Sequence, residues 1–152
     1  MSPVWDAHVI AHLSGDRVVV AGGEGVWISD ATLHDPEWKS TGGFEGVYAT
    51  GLAVDTDGRC YLATRGHDAG ALWESADGGE SWSVVPGTDS LEEPGHGVHA
   101  VTCDPIVARH VFYGAGTSIT LVTERGAREL ASSLPVIRRL VVVEPKALAP
   151  RD

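Results

Sequence analysis

Apolar positions in this chain gather in short runs that are broken before a helix could form. "HVIAHL", "RVVVAGG", "GVWIS", "YATGLAVD", "CYLATRG", "ALWES", "WSVVPG", "VHAVTCD", "HVFYGAG", "SITLVTE" and "LVVVEP" follow one another along the sequence. They are rich in Val, Ile, Tyr and Trp, whose branched or flat side chains suit a pleated sheet. Nineteen glycines and eight prolines punctuate the intervals. No long window keeps apolar residues at the three-and-four spacing of an amphipathic helix. Short strands at this spacing, with turn signals between them, predict an all-β fold: a sandwich, a barrel or a set of repeated sheets.

The runs also repeat. "RVVVAGGEGVWIS" aligns with "RCYLATRGHDAGALWES", which places Trp27 on Trp73 and Trp38 on Trp82. "HAVTCDPIVARHVFYGAGTSITLVTE" aligns with the segment from Thr50, which places Asp104 on Asp55. Each repeat reads as an apolar strand ending at Asp or Pro, a turn, a β-branched strand ending at Gly, a loop, a third strand, a tight turn and a short fourth strand. A period of roughly 40–50 residues is that of a four-stranded repeat unit. Three units are expected at about 5–43, 44–90 and 97–135, with one extra strand at 136–145, whose "LVVVEP" parallels "AVTCDP". An ordinary sandwich predicts no register between Trp27 and Trp73.

The octet "SADGGESW" falls where a third strand turns into a fourth. It carries Ser75, Asp77, Gly79, Ser81 and Trp82 in the pattern Ser/Thr-x-Asp-x-Gly-x-Ser/Thr-Trp. The physics is that of a turn. An Asp carboxylate accepts N–H groups a few residues on. Gly tolerates positive φ, and Trp82 supplies an apolar anchor. With this motif the chain resembles the Asp-box (BNR, sialidase-like) β-propellers, a family that includes sialidases, other glycan-processing enzymes and sortilin-like receptors. The resemblance implies a β-propeller-type fold of about three four-stranded blades, with the box as a structural staple on the face away from the ligand. The first repeat keeps only Ser29 and Trp38 in "SDATLHDPEW", and the third, "TERGAREL", has lost the box. Propellers of this family have six blades or more. Three blades leave two sheet edges open, so a homo-oligomer is expected, with residues 136–145 and 5–13 near the contact.

Charge narrows the class of partner. Acids outnumber bases by 21 to 11 for a net charge of −10, and Lys39 and Lys146 are the only lysines. That field disfavours nucleic acid and anionic membranes. Many acids and few lysines resemble the composition of salt-adapted haloarchaeal proteins, whose self-repulsion is screened at molar salt. No apolar run reaches the ~20 residues of a membrane helix. "MSPVWDAHVIAHLSGD" does not read as a secretory leader, so a cytoplasmic protein is expected, with Cys60 and Cys103 as free core thiols.

The resemblance places ligands at the loops between second and third strands and between repeats. Those loops hold Glu24, Glu45, Tyr48, Arg65, His67, Asp68, Glu92, Glu93, His96 and His99. Glu24, Tyr48, Arg65, His67, Asp68, His96 and His99 are the candidate ligand-binding residues, for a protein or a small sugar-like molecule. Sialidase chemistry needs an arginine cluster and a Tyr–Glu pair, and the early arginine motif is missing. Glu92 and Glu93 are adjacent, so in an extended segment they point opposite ways. His67, His96 and His99 lack the spacing of a zinc site, and no metal or cofactor is expected. The expected function is a non-enzymatic binding or assembly scaffold, the alternatives being a glycan-acting hydrolase or lyase and a lectin-like sugar binder.

Overall fold

The computed structural model describes residues 7–13, 17–23, 25–30, 37–41, 43–44, 47–65, 71–88, 98–135, 137 and 140–142. Among the described residues there are twelve strands and no helix. Strands β1 (Ala7–His12), β2 (Arg17–Gly22), β3 (Val26–Asp30) and β4 (Lys39–Thr41) form the first sheet in chain order. The second holds β5 (Tyr48–Val54), β6 (Cys60–Arg65), β7 (Ala71–Ser75) and β8 (Ser83–Val84). The third holds β9 (Val98–Cys103), β10 (Val111–Ala115), β11 (Ser118–Thr123) and β12 (Gly126–Ala131). Neighbouring strands are antiparallel throughout.

The sheets repeat position by position. Trp27 lies opposite Val20 and Ser29 opposite Val18; Trp73 lies opposite Leu62 and Ser75 opposite Cys60. β5 packs against both β1 and β9, so the first strands of the three sheets stand together. The middle sheet is covered on both faces. Cys60 and Leu62 join Val19, Ala21, Val26 and Ile28 in one core, and Tyr61, Ala63 and Leu72 join Val101, Val111 and Tyr113 in another. A strand sandwiched in this way is apolar at every position, which is why "CYLA" does not alternate. Phe44, buried between the first two sheets, meets Trp73 at 5.1 Å and Trp82 at 5.9 Å, edge to face in both cases.

β8 is short because a side chain replaces its ladder. The Leu72 N–H donates to Thr88 Oγ1 at 3.2 Å, and Thr88 Oγ1 donates to the Val85 carbonyl at 2.8 Å. Both cysteines are free thiols; burial pushes each up to about 12.

The extra strand expected at 136–145 differs in its described part. Residues 137 and 140–142 carry no ladder. The chain crosses the β10–β11 turn instead: the Leu134 N–H donates to the Thr117 carbonyl at 3.0 Å and the Ile137 N–H to the Gly116 carbonyl at 2.9 Å. Ile137 then covers Gly114, where a Cβ would lie 2.6 Å from Ile137 Cγ2. That contact holds Ile137 on the third sheet rather than at an edge of the first.

Candidate functional site

Of the candidate ligand-binding residues, Tyr48 and Arg65 are described with their side chains. Tyr48 opens β5 and Arg65 closes β6, and the ladder sets them side by side. The Arg65 guanidinium carbon lies 4.9 Å from the centre of the Tyr48 ring, a cation–π distance. Glu24, Glu45, His67, Asp68, Glu92, Glu93 and His96 lie outside the described residues. His99 is in β9, and its side chain is not described. Among the described residues no group of three or more His, Cys, Asp or Glu is placed to hold a metal ion.

The octet at 75–82 forms a closed turn. Asp77 Oδ1 accepts the Ser75 hydroxyl at 2.8 Å and the Ser81 N–H at 2.9 Å, and Oδ2 accepts the Ser81 hydroxyl. Ser75 Oγ accepts the Gly79 N–H at 2.8 Å, and Trp82 Nε1 donates to the Gly79 carbonyl at 3.0 Å. The Ser81 hydroxyl, with the Ser81 N–H next, lowers the Asp77 carboxyl to about 2. Its carboxylate is thus spent on its own turn.

The turn also seats on the first sheet. Gly79, at φ +89°, sits so close to β2 and β3 that a Cβ would lie 2.9 Å from Ile28 Cγ2 and 3.2 Å from Val19 Cγ2. Arg17 Nη1 donates to the Gly78 carbonyl at 3.3 Å. The same guanidinium donates from Nε to Asp30 Oδ1 at 2.7 Å and lies 3.4 Å from Glu80, which Lys39 reaches at 2.8 Å. Its hydrogen bond holds the Asp30 carboxyl below the usual carboxylate range.

A different device joins the second and third sheets. Asp55, 6% exposed, ends β5 facing the third sheet. Its Oδ1 accepts the N–H groups of Asp57 and Arg59, both at 2.9 Å. Its Oδ2 accepts the Arg109 N–H at 3.1 Å, across the junction. Arg109 stands at φ +60°, a left-handed conformation rare for residues other than Gly.

Beside this bridge a cavity of about 470 Å³ opens between the two sheets, at the end opposite Tyr48 and Arg65. Arg59, Tyr61 and Glu74 line it from the second sheet, and Arg109 and Glu124 from the third. Arg59 Nη1 is 3.8 Å from Glu74 Oε2, and Arg109 pairs with Glu124. Burial first, then the Asp55 charge, raises the Tyr61 phenol, which keeps it a neutral donor at physiological pH. Val111 and Val122 add apolar wall. The cleft thus offers donors, acceptors and an apolar surface together. Sequence reasoning missed it by looking to the other end of the strands; the match of Asp55 to Asp104 was the signal that pointed to these turns.

No protein-family model matches the chain, and neither a curated protein nor a solved structure matches it. Its class rests on its own geometry: an all-β chain of three four-stranded antiparallel sheets, the first two fastened by a Ser-x-Asp-x-Gly-x-Ser-Trp turn. Among the described residues no helix is long and apolar enough to cross a membrane.

Proposed function

We propose that the chain is a non-enzymatic binding and assembly scaffold of the Asp-box propeller type, cytoplasmic and completed by a second copy of itself. The observation that carries this reading is the contrast between Asp55 and Asp104. Both end first strands and cap the next turn. Asp55 uses its second oxygen to hold the following sheet. Asp104 Oδ1 accepts the Ile106 and Val107 N–H groups at 2.8 and 3.0 Å, while among the described residues no N–H of another sheet donates to Oδ2. Around it the third sheet repeats the covered face of the second: Phe112 takes the place of Tyr61 and Ile119 that of Leu72. Ile106 is 67% exposed beside it. At the other end of the stack, Ile10 on β1 takes the place of Leu52 and is 69% exposed. One chain therefore carries, at its two ends, faces that correspond to the two sides of its internal sheet-to-sheet contacts, with Ile137 of the same chain already seated over Gly114 on the third sheet. A head-to-tail contact between two copies would use both faces at once and close.

Sedimentation velocity tests this. The 16.0 kDa chain should run as a dimer, and Ile106→Lys and Ile10→Glu should each dissociate it, while a mixture of the two variants recovers one junction. A monomer at every concentration, or a dimer indifferent to both changes, overturns the assembly.

The meeting of Tyr48 and Arg65 at the loop end favours a second reading, a sugar-processing or lectin-like site there. Turnover of chromogenic glycosides that Arg65→Ala abolishes would establish an enzyme and overturn the scaffold.

A further inference from the structure

We propose that the cleft between the second and third sheets is a binding site for a small zwitterion, an α-amino acid or a short peptide. The inference rests on the repeat reading above and adds a ligand class to it. The register shows what the cleft replaces. Arg17, Val19 and Ile28 of the first sheet correspond to Arg59, Tyr61 and Glu74 of the second. In the first junction those three residues receive the turn 75–82, with Gly79 on Val19 and Ile28 and the Gly78 carbonyl on Arg17. In the second junction the corresponding turn is cut to residues 124–125, because Thr123 already pairs with Gly126. The space of the missing turn is the cavity of about 470 Å³.

A junction that had merely lost its turn would keep apolar seats or close over them. Here the seats change chemistry instead. Tyr61 stands where Val19 does and Glu74 where Ile28 does, so a phenol and a carboxylate face the opening where two aliphatic side chains were packed. Arg109 is brought to the opposite wall by a left-handed backbone conformation and by the buried Asp55 carboxylate. Asp55 also binds the Arg59 N–H, so one buried group sets both arginines. A backbone conformation of this kind has a cost and persists only where its surroundings hold it.

The lining selects the ligand. Two guanidinium groups and two carboxylates line the cleft, and each sign stands on both walls. A molecule with a carboxylate and an ammonium a few bonds apart can meet an arginine and a glutamate together. In the filled junction the group on the corresponding arginine is a peptide carbonyl, so a carbonyl or carboxylate on Arg59 repeats a contact this fold already makes. A volume of this size also suits a small molecule.

Isothermal titration with the dipeptide Gly-Gly, its N-acetylated form and methyl glucoside tests the proposal. Saturable binding of Gly-Gly should weaken at least tenfold, about 1.4 kcal/mol, on acetylation, which removes the ammonium. Tyr61→Phe and Glu124→Gln should weaken it while circular dichroism stays unchanged, and Lys39→Ala on the first sheet should leave it alone. Methyl glucoside bound better than Gly-Gly, equal binding of the acetylated form, or no heat at millimolar Gly-Gly overturns the proposal. None of these results bears on the sedimentation of the chain, so the two readings fail separately.

Discussion

Removing the Asp55 side chain should cost the protein far more than removing Asp104, although the two residues occupy the same place in their repeats. Asp55→Ala strips an acceptor from three N–H groups, those of Asp57, Arg59 and Arg109. A polar group left unsatisfied costs about 1–3 kcal/mol when water cannot replace the partner. Asp57 is exposed and Arg59 half-buried, so water can reach those two, which then contribute about 0.5–1 kcal/mol each. The Arg109 N–H lies at the junction, and its loss also releases a residue held at φ +60°. It belongs at the upper end, which brings the sum to roughly 3–5 kcal/mol. Asp104→Ala loses two bonds in an exposed turn and should cost about 1 kcal/mol. Asp55→Asn keeps a carbonyl oxygen for part of the network and should fall between them.

Urea unfolding followed by tryptophan fluorescence reads the difference. Both variants are best compared in the Ile10→Glu background, where dimerisation does not add to the cost of Asp104→Ala. The m-value should not change, because the same surface is exposed on unfolding. An Asp55→Ala midpoint no lower than that of Asp104→Ala would refute the bridge between the second and third sheets.

Three further outcomes are expected. Gly79→Ala places a Cβ 2.9 Å from Ile28 at a φ of +89° and should destabilise by about 1–3 kcal/mol; an unchanged melting temperature would mean that the turn does not seat on the first sheet. The Asp77 carboxyl is lowered to about 2 in the folded chain from an ordinary value of 3.8, so its stabilising effect is present above pH ~4 and lost as pH falls from there toward ~2. Acid unfolding of Asp77→Asn should lack that part of the slope, and an identical acid limb would contradict the turn's hydrogen bonding. Stability should rise from low to molar KCl, since screening relieves a net charge of −10 more than it weakens exposed pairs such as Lys39–Glu80; a melting temperature that stays flat or falls with salt would remove the salt-adapted reading.

Much of the sheet structure was legible because it is written locally. Alternating β-branched runs and glycine-rich intervals carry the strands, and the pairing of Trp27 with Val20 and of Trp73 with Leu62 preserves the register read from the sequence. The octet is legible for the same reason, since every bond of Asp77 falls within four residues. The site is not local. The Asp55–Arg109 bond spans 54 residues, and nothing in "DTDGR" distinguishes an acid that closes its own turn from one that also holds the next sheet. "PVIRRLVVVEP" differs from expectation in its described residues 137 and 140–142, which carry no ladder. Its composition is that of a strand, but Ile137 finds Gly114 and the Gly116 carbonyl first, contacts that depend on a glycine more than twenty residues earlier.

The two junctions divide the work differently, and that division links motif to function. Between the first and second sheets, the turn 75–82 fills the space with backbone, and Arg17 ties it down while bound to Asp30 and Glu80. Between the second and third, the packing of Tyr61, Ala63 and Leu72 on Val101 and Val111 carries the contact, and Asp55 fixes the turns above it. Because Asp55 does the fastening there, the third repeat is free to lose its octet without separating from the second. The residues that would have received that octet, Arg59, Tyr61 and Glu74, then line a gap shared with Arg109 and Glu124 of the third sheet, where polar side chains can be kept at little cost to the core. Restoring a turn of the sequence SADGGES between β11 and β12 should therefore fill the cleft and abolish Gly-Gly binding. In that variant Tyr61→Phe should no longer alter the titration. Undiminished Gly-Gly binding with the turn in place would show that the ligand enters elsewhere.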